Sequence, residues 1–266
     1  MKRATVLALA SGLLITIGAL PRVAHATTAV GPKTYYLALG DSLAYGYQPN
    51  YNFNSGYAND FYANLRSHGT TSLINMACPD ESTATFMNGG CPYSWLRKTF
   101  YSGSQLNAAV NYIKAHAGKV SPVTLDIGAN DVLPLINSST CTIASNWSTA
   151  LSTFNTNFNT ILQKLNAALA GKGDLIVMTY YDPYQNQCAS NPNVLADLET
   201  MNADIQSDAA TYNARVADVS TAFGGATTPN PNICSYTWMC ASQHDIHASN
   251  TGYSVMASAF ESAAGY

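Results

Sequence analysis

Thr34-Tyr35-Tyr36-Leu37-Ala38-Leu39-Gly40-Asp41-Ser42-Leu43 is a short apolar run that stops at a glycine and passes straight into a serine. An apolar run of strand length, closed by glycine, reads as a strand buried on both faces in a parallel sheet. Four further runs read the same way: residues 71–76, 122–127 (ended by Gly128), 175–179 and 215–219. Helical patterns alternate with them over residues 56–67, 104–117, 144–169, 194–213 and 250–263. The third of these carries Leu151, Phe154, Phe158, Ile161, Leu162 and Leu165 at helical spacing, a stripe that faces a core. Strand, helix, strand, helix with no hairpin signal predicts an α/β chain: a parallel sheet covered by helices on both faces. In such sheets, sites form beyond the C-terminal ends of the strands, so the chemistry is expected just after Leu39, Met76 and Ile127.

The chain begins with a different kind of segment. Met1-Lys2-Arg3 is basic, residues 6–20 are apolar and uncharged, and Ala24-His25-Ala26 is a small-x-small cleavage site. These are the parts of a secretory signal peptide, predicted to occupy residues 1–26 and to be removed near Ala26. Residues 27–266 then form the secreted chain, read as a single domain. Losing Lys2, Arg3 and Arg22, with no acid among the removed residues, takes the formal charge from −3 to −6. There is no basic arm or patch for nucleic acid. No later stretch is apolar for long enough to insert stably in a bilayer. Nothing in the pattern calls for an obligate dimer, so a monomer is expected.

All six cysteines lie beyond the signal segment. An even count in an exported chain implies disulfides, and 15 pairings are open to six cysteines. Pairing of neighbours is expected: Cys78–Cys91, Cys141–Cys188 and Cys234–Cys240. No C-x-x-C pair is present, so metal binding by these residues is set aside. The stretches 87–103 and 223–243 are expected to be irregular and held by these bridges.

Three short blocks carry the chemistry. Gly40-Asp41-Ser42-Leu43 follows the first strand and would present the Ser42 hydroxyl and its own N–H at a helix start. A glycine turn with a capping serine gives the same four residues. Gly128-Ala129-Asn130-Asp131 follows the third strand, where an asparagine amide can donate to a developing oxyanion. An ordinary turn also fits. His244-Asp245-Ile246-His247 precedes the last helix, a histidine in a loop with a carboxylate two residues earlier. Asp41 and Asp131 read as acids that hold their own loops by hydrogen bonds.

The order of the three blocks resembles the GDSL, or SGNH, hydrolase family from Tyr35 to about Phe260. The resemblance implies a flavodoxin-like three-layer α/β/α sandwich with a five-stranded parallel sheet in the order 2-1-3-4-5. It implies Ser42 as nucleophile, Asn130 as oxyanion donor and His247 as general base, with no metal or cofactor. The cysteine-rich loops and Trp238-Met239-Cys240 resemble secreted bacterial members. Two places depart from the family pattern. Asp80 stands where the family has a glycine whose N–H joins the oxyanion hole. The family acid lies three residues before the histidine, a place taken here by His244. Either Asp245 orients His247 from its nearer position, the favoured reading, or a main-chain carbonyl near His244 does so.

The activity this implies is hydrolysis of carboxylic esters, on a small-molecule ester or an acylated carbohydrate. No lid-like amphipathic insertion is visible, which favours an esterase over an interfacial lipase. Carbohydrate deacetylation or acyl transfer would use the same residues. The departures at Asp80 and Asp245 motivate a different class, a secreted binding protein on an inactivated hydrolase scaffold. Tyr45, Tyr47, Tyr51, Phe53 and Tyr57 crowd the segment after Ser42, where they either line a pocket or reflect a tyrosine-rich composition.

Overall fold

A computed structural model describes residues 28–266, so the signal peptide expected at 1–26 lies outside the described residues. Five parallel strands form one sheet: β1 (Tyr35–Gly40), β2 (Ser72–Asn75), β3 (Val120–Asp126), β4 (Leu175–Met178) and β5 (Arg215–Ala217). Their order is β2-β1-β3-β4-β5, as the resemblance implied. Every residue of β3 is buried, and β1 is buried from Tyr36 onward. These strands are covered on both faces, which is why their sequence shows apolar runs and no alternation.

Five helices cover the sheet: α1 (Tyr57–Arg66), α2 (Gln105–Ala115), α3 (Trp147–Leu169), α4 (Pro192–Thr211) and α5 (Asn250–Ala264). Parallel strands are joined by right-handed crossovers. The chain moves outward from β1 to β2, then back past β1 to β3, β4 and β5. That reversal puts α2, α3 and α4 on one face and α1 with α5 on the other, and the helices pack on one another in just these two groups. Tyr57 of α1 stacks on Phe260 of α5 at 4.6 Å, while Phe154 and Phe158 of α3 fill the opposite layer.

The expectation of no hairpins is corrected. Ile136–Asn137 pairs antiparallel with Thr142–Ile143, and Thr237–Trp238 pairs antiparallel with Asp245–Ala248. His247 therefore sits on a short strand, not in a loop. Two-residue strands carry too few side chains to show a period, and both pairs lie next to cystines. The disulfides join the neighbours: Cys78–Cys91, Cys141–Cys188 and Cys234–Cys240. The stretches expected to be irregular also hold short helices, Ser94–Leu96 and Pro231–Tyr236.

Candidate active site

The reversal of strand order between β1 and β3 opens a crevice at their C-terminal ends. A cavity of about 340 Å³ lies there, and Ser42, Asp80, Asn130, Asp245 and His247 all line it.

Ser42 is placed by a turn that only glycine can make. Gly40 has φ +136°, and a Cβ on it would lie 1.7 Å from Asp126 Oδ1 and 2.0 Å from the Asp126 carbonyl. The strand can thus bend sharply against β3. Asp41 Oδ1 accepts the Leu43 N–H at 3.0 Å and caps a single helical turn, Ser42–Tyr45. Asp126 Oδ2 accepts the Ala44 N–H at 2.8 Å. Both acids are buried, and burial pushes both carboxyls up, each further raised by the other or by nearby acids. The Ser42 N–H donates to no acceptor among the described residues, and Ser42 lines the cavity.

Asp80 follows β2 in the left-handed region, with φ +65°, where the family pattern has glycine. Its side chain is exposed at the cavity, and its N–H also has no acceptor among the described residues. Asparagine and aspartate enter this region more readily than other side-chain-bearing residues, so the substitution keeps the backbone shape at a modest cost.

Asn130 lies on the single turn Ala129–Val132 after β3. Its Nδ2 donates to the Glu81 carbonyl at 3.1 Å, which leaves the second amide hydrogen to the cavity. Asp131 accepts from the Thr83 N–H at 2.9 Å and from the Thr83 hydroxyl at 2.6 Å. This acid ties the β3 turn to the helix Thr83–Asn88, the loop-holding use expected of it.

His247 comes to Ser42 from the far end of the chain. Its Nε2 stands 2.8 Å from Ser42 Oγ, and its Nδ1 stands 2.6 Å from Asp245 Oδ1. A carboxylate only accepts, so Nδ1 carries the hydrogen and Nε2 is free to accept from the serine. Asp245 Oδ1 also accepts the His247 N–H at 2.9 Å. Burial pushes the Asp245 carboxyl up, but the hydrogen bonds and charge of His247 outweigh it and hold the carboxyl below its ordinary value. Of the two partners left open for His247, the Asp245 side chain is the one in contact. The shortened spacing is accommodated by His244, whose φ of +47° turns the chain just before Asp245. His244 itself points away, its Nδ1 3.1 Å from the Met239 carbonyl.

The aromatic crowd after Ser42 divides. Tyr47 lines the cavity, its ring centroid 4.5 Å from that of His247. Tyr57 and Tyr45 are buried, and Tyr51 is exposed. The cavity also takes Tyr93, Tyr180 and Tyr181, which the sequence did not single out. The Tyr181 hydroxyl donates to the Ile246 carbonyl at 2.6 Å, beside the histidine. Glu81 and Gln105, buried beneath the turns, were missed too. Isolated acids and amides carry no sequence signal until the fold brings them together.

A family model for the GDSL-like lipase/acylhydrolase family matches residues 38–255. The chain belongs to this family. As a GDSL-like acylhydrolase it shares its fold with solved structures of low sequence identity. An extracellular lipase from Streptomyces rimosus superimposes with a TM-score of 0.61 at 18% identity, over 86% of this chain and 99% of that one. An acetyl-xylooligosaccharide esterase from Geobacillus gives 0.59 at 15% identity, over 90% and 97%. A phospholipase A1 from Streptomyces albidoflavus gives 0.57 at 17% identity, over 87% and 99%. No curated protein matches by sequence. The GDSL-like family places this chain among ester-hydrolysing enzymes. Its three disulfides fit a secreted protein, and no helix among the described residues is long and apolar enough to cross a membrane.

Proposed function

We propose that this protein hydrolyses carboxylic esters through an acyl-enzyme on Ser42, after export and removal of residues 1–26. The observation that carries the reading is the relay of two short contacts, Ser42 Oγ to His247 Nε2 at 2.8 Å and His247 Nδ1 to Asp245 at 2.6 Å.

His247 takes the Ser42 proton as the oxygen attacks the ester carbonyl, and Asp245 stabilises the imidazolium that forms. The negative oxygen of the tetrahedral intermediate accepts from the Ser42 N–H, the Asp80 N–H and the Asn130 amide. His247 returns the proton to the leaving alcohol. Water then attacks the acyl carbonyl while giving a proton to His247, and His247 passes that proton to Ser42 Oγ as the acyl–oxygen bond breaks, releasing the acid and the free serine. The residues needed for each step are supplied by the chain itself.

Turnover of p-nitrophenyl esters from acetate to palmitate, beside a Ser42→Ala variant, tests the reading. Wild-type hydrolysis that falls by at least about 10³-fold in the variant, at unchanged melting temperature, is expected. Full activity in Ser42→Ala would overturn it. The chain-length profile separates an esterase from a lipase.

A further inference from the structure

We infer that Glu81 is a positioning residue for ester hydrolysis: with Gln105 it clamps together the three turns whose N–H groups face the oxyanion, an inference that rests on the hydrolase reading above. The three turns follow three different strands, and the backbone ties between them are few: the Cys78 N–H donates to the Gly40 carbonyl at 3.0 Å and the Asp41 N–H to the Asp126 carbonyl at 3.2 Å. Glu81 touches each. Its carbonyl accepts from Asn130 Nδ2 at 3.1 Å, which fixes the β3 donor. It follows Asp80 directly, and its own N–H is tied back to the Cys78 carbonyl at 3.3 Å, which closes the β2 turn. Its carboxyl Oε2 accepts from Gln105 Nε2. The same Gln105 amide brackets Gly40: Oε1 accepts the Gly40 N–H at 2.7 Å, and Nε2 donates to the Gly40 carbonyl at 3.0 Å. Gly40 is the hinge of the Ser42 turn. The Glu81 carbonyl holds the Asn130 donor, and its buried carboxyl, through the buried Gln105 amide, ties the β2 turn to the Gly40 hinge.

Glu81 and Gln105 have no exposed surface. The Glu81 carboxylate lies within 4.8 Å of the sulfurs of Cys78–Cys91, which cover it. The charged and titratable groups around it are Asp41 on the Ser42 turn, and Arg97 and Tyr101 on the loop before α2. Burial pushes its carboxyl up to about 8, with Asp41 adding to the rise and the Gln105 hydrogen bond and Arg97 opposing it. At neutral pH the clamp is therefore uncharged. Above about pH 8 it gains a negative charge next to the turns meant to hold an oxyanion, which opposes the reaction. Glu81 does not line the cavity, so its influence is exerted through the donors.

Steady-state kinetics on p-nitrophenyl acetate from pH 6 to 9.5, with spontaneous hydrolysis subtracted, tests this on wild type, Glu81→Ala and Glu81→Gln. Glu81→Ala is expected to lower kcat by about 10²-fold with KM within about threefold, the pattern of loosened transition-state donors. Glutamine is the neutral isostere of the protonated acid. Glu81→Gln should restore kcat at pH 7 to within about threefold, and should lack the roughly tenfold fall in wild-type kcat expected between pH 8 and 9.5. A Glu81→Gln profile that keeps that alkaline fall overturns the inference even if Glu81→Ala does not fold. So does a folded Glu81→Ala with wild-type kcat. In both cases an active wild type leaves the hydrolase reading standing. An inactive wild type overturns both.

Discussion

At the scale of single residues, Asp80 is the sharpest departure from the family pattern. A glycine would reach φ +65° freely, whereas aspartate pays for the conformation and adds an exposed carboxylate at the cavity. A negative charge there opposes a developing oxyanion, weakly because water screens it. Asp80→Asn keeps a residue type that tolerates the left-handed region and removes the charge. It should raise kcat on a neutral ester by about twofold to fivefold at low salt, and the gain should shrink as ionic strength rises. A salt-independent gain, or a loss, would mean that the carboxylate does not act by its charge. Ser42, Asn130 and His247 stood out in the sequence because three motif blocks occur in order beside elements that could be read, and their roles were implied by the family resemblance. The partner of His247 could not be decided there, since the choice depends on the turn at His244. Glu81 and Gln105 were not legible at all: they are 24 positions apart, one in the turn after β2 and one at the start of α2, and meet only in the folded chain.

At the scale of elements, the seam between the serine-bearing and histidine-bearing segments is held from one side by Gln48. Its side chain is fully buried and bonds to Asn250 Oδ1 at 2.7 Å, to the Asn52 carbonyl at 3.1 Å and to the Ser55 carbonyl at 3.2 Å. Its Oε1 accepts from Trp238 Nε1 at 3.3 Å, on the strand paired with the one that bears His247. Tyr253 adds a second tie, its hydroxyl donating to the Tyr47 carbonyl at 2.7 Å. Gln48→Ala removes the first tie and leaves partly buried carbonyls unpaired, at a cost of about 1–2 kcal/mol. A small shift of His247 from Ser42 is then expected to lower kcat roughly tenfold or more, since proton transfer depends steeply on alignment. Chemical denaturation and kcat measured together check this. A stability loss with unchanged kcat would show that the seam holds the fold without aligning the pair. The long helices and the five strands were legible because ten or more residues, or a wholly apolar run, average out local noise. The helix Thr83–Asn88 and the two short antiparallel pairs were not, because their conformation is set by cystines and by contacts such as Asp131 to Thr83.

At the scale of the whole molecule, the chain is sparsely charged, only 10% of residues, yet Asp41, Glu81, Asp126 and Asp182 are buried. Burial pushes Glu81 up to about 8 and Asp182 up to about 6, and it raises Asp41, Asp126 and Asp131 as well. Each of these groups holds its proton when folded at a pH where the unfolded chain has lost it. The stability they confer is therefore complete below the ordinary carboxylate range and is lost as pH rises through the folded values, from about 6 at Asp182 to about 8 at Glu81. Asp245 works in the opposite sense: its lowered value stabilises the fold above the ordinary range, and that contribution disappears as pH falls through the lowered value. The two trends together place maximal stability in mildly acidic solution, near pH 5, with a decline toward pH 8. Calorimetric melting from pH 4 to 9 should show it. Asp182 has one carboxyl oxygen bonded to the Tyr184 N–H at 2.8 Å and the other buried without a partner among the described residues, so Asp182→Asn should flatten the part of the curve between about pH 4 and 6. A melting temperature that rises steadily from pH 5 to 8 would instead require these acids to be ionised in the folded chain, with stabilising partners among the charges around them.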